Sequence, residues 1–153
     1  MLYIIDSKRR KNVKRLYFGS PISIYGSELD LKLTGIIERE FRDWEIENPN
    51  QQKHKDGYQL WKRNTGRGMD YYFREVLPKC DGGIFLPFRD GKWGVGVFGE
   101  CEFLRKDAKP VWEITHNGVV SLVIFWETVK KRALSVEETR ARVYGADGKV
   151  LVY

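Results

Sequence analysis

The chain has 153 residues, 42% hydrophobic and 14% aromatic, which is about one domain with a sizeable core. No apolar run of about 18 residues occurs, and the opening MLYIIDSKRRK sets its apolar residues ahead of its charges and is too short for a secretory leader, so a cytoplasmic protein with no membrane partner is expected. Cys80 and Cys101 form no CxxC and the histidines are not paired in sequence, which argues against a disulfide framework and a zinc site and predicts two buried thiols.

The net charge is +6, and its densest cluster is Lys8, Arg9, Arg10, Lys11, Lys14 and Arg15. Residues 1–14 read as a basic N-terminal extension, which a solvated edge before the first strand explains as well as a phosphate-backbone contact does. Arg39, Arg42, Lys62, Arg63, Lys130, Lys131 and Arg132 are interleaved with Asp and Glu, so no single basic face emerges and nucleic acid is a secondary partner.

RLYFG (15–19) predicts the first strand, stopped by Gly19, Ser20 and Pro21. Ser27, with Asp30 three residues on, predicts a helix cap, and Leu29, Leu33, Ile36, Ile37, Phe41 and Trp44 recur at helical spacing. WEIEN predicts a short strand running into Pro49. Residues 49–68 are polar and show little periodicity outside Tyr58–Trp61, so they read as a long loop and a candidate lid, with His54 solvated. Asp70–Leu77 reads as a short helix ended by Pro78. GGIFLPF then predicts a strand buried on both faces, followed by a helix ending near Ala108 and a further strand, KPVWEI. Val119–Trp126 is an expected strand after the turn THNG, which accounts for His116; Ser135 caps a helix through Arg142, and 149–153 closes the chain as a short strand or tail. This alternation predicts a single domain over 1–153 with a doubly wound, flavodoxin- or Rossmann-like parallel sheet in three α/β/α layers.

Ligands of open parallel sheets bind at the carboxyl ends of the strands. Glu100, expected in the first turn of the helix after the third strand, therefore faces the crevice, although the helix dipole alone also favours a glutamate there. Gly94, Gly96 and Gly99 spell GxGxxG, but RDGKW separates them from the strand, the unit is the third, and no acidic residue closes the next strand, so dinucleotide binding is not expected. The same glycines let a ligand approach the backbone beside a helix N-terminus that favours an anion. GxSxG and GxxxxGK[ST] are both absent from the sequence.

Tyr17-Phe18-Gly19-Ser20-Pro21 at the end of the first strand, Asp70 two elements later, the Asp-Gly turn after the third strand, and Gly96-Val-Phe-Gly-Glu100 followed by Lys109-Pro110-Val111 resemble the nucleoside 2-deoxyribosyltransferases, over roughly residues 15–115. The wider group includes nucleotide N-glycosidases that pass the sugar to water. The resemblance implies that Glu100 is the nucleophile at the anomeric carbon, that Tyr17 orients it, that Asp70 lies near the sugar and that Asp90 handles the base. It implies substrate contacts from Gly19, Ser20, Pro21, Gly94 and Gly96, and from Asn50 or Gln51. No cofactor or metal is implied. The partners implied are a small-molecule nucleoside or nucleotide and further copies of the chain, a dimer or higher even number, to which the tail with Tyr153 contributes if it does not pack on its own domain.

The chemistry of N-glycosidic cleavage agrees: one carboxylate captures an oxocarbenium-like sugar while a second acid protonates the departing base. Glu100 suits the first role, with Glu102 as its rival, and Asp90, Asp81 or Asp70 the second. Trp93 either stacks on a base or shields a core edge. The segment RDGKWGVGVFGE is longer than the family's turn, which leaves room for Asp90 to be displaced. A non-catalytic nucleotide-binding module and a nucleic-acid-binding protein using the basic run are the alternative functions.

Overall fold

Alternation along one strand sets the plan of the molecule, a computed structural model that describes residues 13–151. In β1 (Lys14–Gly19), Leu16 and Phe18 point to one face of the sheet and Tyr17 to the other. The first face packs Leu16, Phe18, Ile84 and Leu86 against Leu33 and Ile37 of α1 (Glu28–Glu40). The second packs Tyr17 and Phe85 against Val97, Cys101 and Leu104 of α3 (Val95–Lys106). Gly83 lets α3 close on the sheet, since a Cβ there would lie 2.5 Å from Leu104 Cδ1.

The sheet runs β2-β1-β3-β4-β5, with β2 at Trp44–Glu47, β3 at Gly82–Phe85, β4 at Val111–Ile114 and β5 at Val120–Leu122. The first four strands are parallel, which is the expected three-layer α/β arrangement. β5 departs from it by running antiparallel to β4. A parallel return needs a crossover of about a dozen residues, whereas Thr115–Val119 is a tight turn through Gly118 at φ 83°. The strand expected over Val119–Trp126 is accordingly short, and Trp126 opens α4 (Trp126–Lys130).

Ser27 Oγ caps α1 by accepting from Asp30 N, and Ser135 and Glu138 form a reciprocal capping box on α5 (Val136–Val143), as their spacing anticipates. The expected loop over 49–68 is instead a helix, α2 (Gln52–Thr65), closed by Gly66 in the left-handed conformation. Its inward face carries His54 and Tyr58 rather than a run of aliphatics, so apolar periodicity is weak although the helix is formed. After it, Asp70 and Tyr71 lead into a π-turn (Tyr72–Val76) and a 3₁₀ turn (Leu77–Lys79) that contains Pro78.

The tail folds back on its own domain: Gly145 N donates to Lys149 O, Leu151 N donates to Val143 O, and Tyr144 bridges Val150. Tyr153 and the basic residues Lys8 to Lys11 lie outside the described residues. Among the described residues no helix is long and apolar enough to cross a membrane.

Candidate functional site

β1 and β3 are neighbours whose chains leave to opposite faces of the sheet, α1 on one side and α3 on the other, so a crevice opens beyond their carboxyl ends. A cavity of about 220 Å³ occupies it. Tyr17 from β1 and Glu100 from α3, 83 residues apart, meet on its wall, where the tyrosine hydroxyl donates to Glu100 Oε2. Both are buried, Tyr17 at 1% and Glu100 at 6% exposure. Helix α3 starts at Val95, which puts Glu100 in its second turn instead of the expected first and weakens the dipole as an account of it.

Burial pushes the Glu100 carboxyl up from 4.5 to about 7, against the opposing pull of the Tyr17 hydrogen bond. Burial, and next the Glu100 charge, raises the Tyr17 and Tyr72 phenols above their ordinary value, and the same two causes act on Tyr25. Tyr25 and Tyr72 line the same cavity, and the Tyr72 ring meets that of Tyr17 edge-on at 6.4 Å. The site thus holds one carboxylate, poised between its two protonation states at neutral pH, among three protonated phenols.

Of the substrate contacts expected from the sequence, Ser20, Pro21, Gly94 and Gly96 line this cavity. Gly19 lies beneath it, where a Cβ would meet Phe85 Cδ1 at 2.5 Å. The GxGxxG glycines form no phosphate-wrapping loop: Gly94 is the N-cap of α3, and Gly96 and Gly99 are inside the helix. Glu102 pairs with Lys106 at 3.5 Å on the outer side of α3, so the structure separates it from Glu100.

The expected second acids lie elsewhere. Asp90 Oδ2 accepts from Arg142 Nη2 at 2.7 Å, and that hydrogen bond, ahead of any other influence, lowers its pKa. It is thereby held ionised, ill suited to donating a proton, and is not on the cavity wall. Asp70 pairs with Arg67 at 3.5 Å, and Asp81 accepts from Arg15 N at 2.8 Å; neither lines the cavity. Trp93 is fully buried, donates Nε1–H to Glu113 at 3.1 Å and exchanges backbone hydrogen bonds with Arg132 and Leu134, so it is a core strut and offers no face to a base. Gln51 turns back on its own chain, accepting from Asn48 N and donating to Ile46 O, and with Asn50 borders a separate groove at the β2 edge.

No family model, curated protein or solved structure matches the chain.

Sequence reasoning missed Tyr25, Tyr72 and Arg140 on the cavity wall. Their signal is faint, because each belongs to a different element. It also misplaced His54, which is 5% exposed rather than solvated. His54 Nε2 lies 2.7 Å from Glu47 Oε2 and Nδ1 2.8 Å from Tyr71 OH. His54 thus links Glu47 to Tyr71 and ties the end of β2 to the segment that carries Tyr72. Both cysteines are free and buried, and burial foremost pushes the Cys80 thiol up to about 12. Among the described residues no group of three or more His, Cys, Asp or Glu side chains is placed to hold a metal ion.

Proposed function

We propose that the cavity cleaves the N-glycosidic bond of a nucleoside or nucleotide, with Glu100 as the nucleophile. The buried Tyr17–Glu100 pair at the β1/β3 crevice carries this reading. Burial raises the basicity of the carboxylate, the phenol keeps one oxygen oriented, and the mainly apolar cavity wall surrounds the place of the reacting carbon. A Glu100 oxygen forms a bond to the anomeric carbon as the carbon–nitrogen bond breaks, and the base leaves with that electron pair and takes up a proton. Because Glu100 is the one carboxylate on the described cavity wall, that proton comes from solvent at the mouth rather than from Asp90, Asp81 or Asp70. An acceptor nitrogen or water then attacks the same carbon and releases Glu100, so configuration is retained.

The test is base release from a panel of ribo- and deoxyribonucleosides and their monophosphates, followed by chromatography. Glu100→Gln lowers turnover by roughly a thousandfold with binding largely kept, while Glu102→Gln changes it less than about threefold. Equal losses in the two variants, or no base released from any compound, overturn the proposal.

A further inference from the structure

The two edges of the sheet are built differently. β2 is blunted in the way edge strands usually are: it carries Glu45 and Glu47, the Lys14 ammonium lies over Trp44 at 5.2 Å, and the chain runs on into Pro49. β5 has none of these devices. From Val119 to Trp126 the sequence is VVSLVIFW, without a charge or a proline, and Val119, Leu122, Ile124 and Phe125 are 60%, 51%, 72% and 72% exposed. Single exposed apolar residues call for no explanation, but these lie along one strand edge and form a patch.

The backbone of that edge is open as well. Thr115 N donates to Val119 O at 3.0 Å and Val123 N to Val111 O at 2.9 Å, so Val119, Ser121 and Val123 turn their polar groups toward β4. By alternation Val120, Leu122 and Ile124 point theirs away from the sheet, where β5 has no neighbouring strand among the described residues. The chain stays extended as far as Phe125, at φ −103° and ψ 95°, and α4 begins after it.

We infer that β5 docks a second copy of this chain, which adds its own β5 antiparallel across a two-fold axis at Leu122 and joins the two sheets into one. In this register Leu122 exchanges both of its backbone hydrogen bonds with Leu122 of the second copy, and Val120 pairs with Ile124. The side chains match as the backbone does. Leu122 meets its counterpart and Ile124 meets Val120 on the α1 face, while Val119 meets Phe125 on the α3 face. Each exposed apolar side chain of the segment thereby acquires an apolar partner. A slip of two residues loses this match, since it sets Phe125 opposite Asn117 or Ser121. Charge points to the same occupant. The chain carries +6, so two copies repel at a distance and meet favourably where neither brings charge; the segment is uncharged, and Glu127 beyond it faces Asn117. The exposed side chains offer on the order of 450 Å² per copy, less than the roughly 800 Å² per partner of a standard interface, so the dimer is a dissociating one.

Sedimentation equilibrium of the full chain from about 1 to about 200 μM tests this, and the wild type passes from monomer to dimer with a dissociation constant on the order of 10 μM. Leu122→Lys, a change at an exposed position that leaves the melting temperature and circular dichroism of the dilute monomer unaltered, sets two ammonium groups face to face and weakens association about a hundredfold. Leu122→Cys forms a covalent dimer on mild oxidation, because its two copies face each other at about 5.5 Å between Cα atoms, whereas Ser121→Cys, whose counterpart is out of register, does not. Cys80 and Cys101 are buried, so the wild-type chain forms no such crosslink. A wild type that stays monomeric throughout the range, whether or not it takes up a foreign extended peptide, overturns the inference. So does a dimer that Leu122→Lys leaves intact, or crosslinking at Ser121 in preference to Leu122.

Discussion

Two glutamates at the carboxyl ends of neighbouring strands behave in opposite ways. Glu47 ends β2 at 3% exposure, and Glu100 sits beyond β1 and β3 at 6%. Burial resists ionisation at both. At Glu47 it is outweighed by hydrogen bonds from His54 and Lys53 and by their charges, which bring the carboxyl to about 2, with Lys53 Nζ at 2.8 Å and Arg15 Nη1 at 3.9 Å. At Glu100 the sole hydrogen-bond donor among the described residues is a neutral phenol, and burial carries the carboxyl to about 7. The difference lies in the partners and in depth, since Glu47 meets half-exposed cations near the surface and Glu100 is enclosed among phenols: compensated charge makes a structural tie, and uncompensated charge makes a reactive group.

Removing each carboxylate is the sharpest way to break this contrast. Glu47→Gln leaves the cluster of Arg15, Lys53 and His54 without its counter-charge and lowers stability by about 3 kcal/mol at neutral pH. Because the folded pKa lies below the unfolded one, the wild-type contribution is present above pH 4.5 and is lost as pH falls toward about 2, so the two proteins converge in acid. Urea titrations at pH 7 and near pH 3 check this, and a constant gap between them removes Glu47 from the role.

Glu100→Gln acts in the other direction. Below pH 4.5 Glu100 is protonated in both folded and unfolded chains and adds nothing; from 4.5 to about 7 the unfolded chain releases the proton while the native one keeps it, and stability falls. The variant escapes that fall and above pH 7 gains up to roughly 3 kcal/mol, while losing turnover. A variant less stable than wild type at pH 8 contradicts the uncompensated charge.

The pH–rate profile sharpens the comparison at a smaller scale. A nucleophile must be ionised, so kcat/KM rises about tenfold per pH unit and levels off above the Glu100 value of about 7. A profile that falls through this range assigns Glu100 to proton donation instead. Glu47, ionised throughout, adds no inflection.

The smallest effect belongs to Gly96. Its backbone is helical and a Cβ there meets nothing within 4 Å, so Gly96→Ala gains up to about 1 kcal/mol of stability from helix propensity. The methyl group enters the mouth of the cavity and raises KM severalfold. Unchanged KM with a raised melting temperature places the substrate away from α3.

The Tyr17–Glu100 meeting was legible because it follows from local rules. A strand stopped by Gly-Ser-Pro, a buried strand before a glycine-rich helix start, and parallel order bring those two elements side by side. Asp90 was misread because its partner, Arg142, lies 52 residues away, and no local pattern announces that Asp90 is already paired. α2 was misread because its inward face is built from His54 and Tyr58, whose burial depends on Glu47 and Tyr71 rather than on hydrophobicity. β5 was misread in direction, although the short THNG turn that forces it antiparallel is plain in the chain.

Residue order by itself therefore determined the helices capped by Ser27 and Ser135, the parallel core of the sheet and the end of it at which the crevice opens. These depend on periodicity, capping and chain length, which act over a few residues. The tertiary structure alone decided which carboxylate is neutralised and which is left uncompensated, which arginine borders the cavity, and which tyrosines surround Glu100. Those properties depend on distances between groups remote in sequence and on how far water is excluded from them, and neither is encoded within any single stretch of the chain.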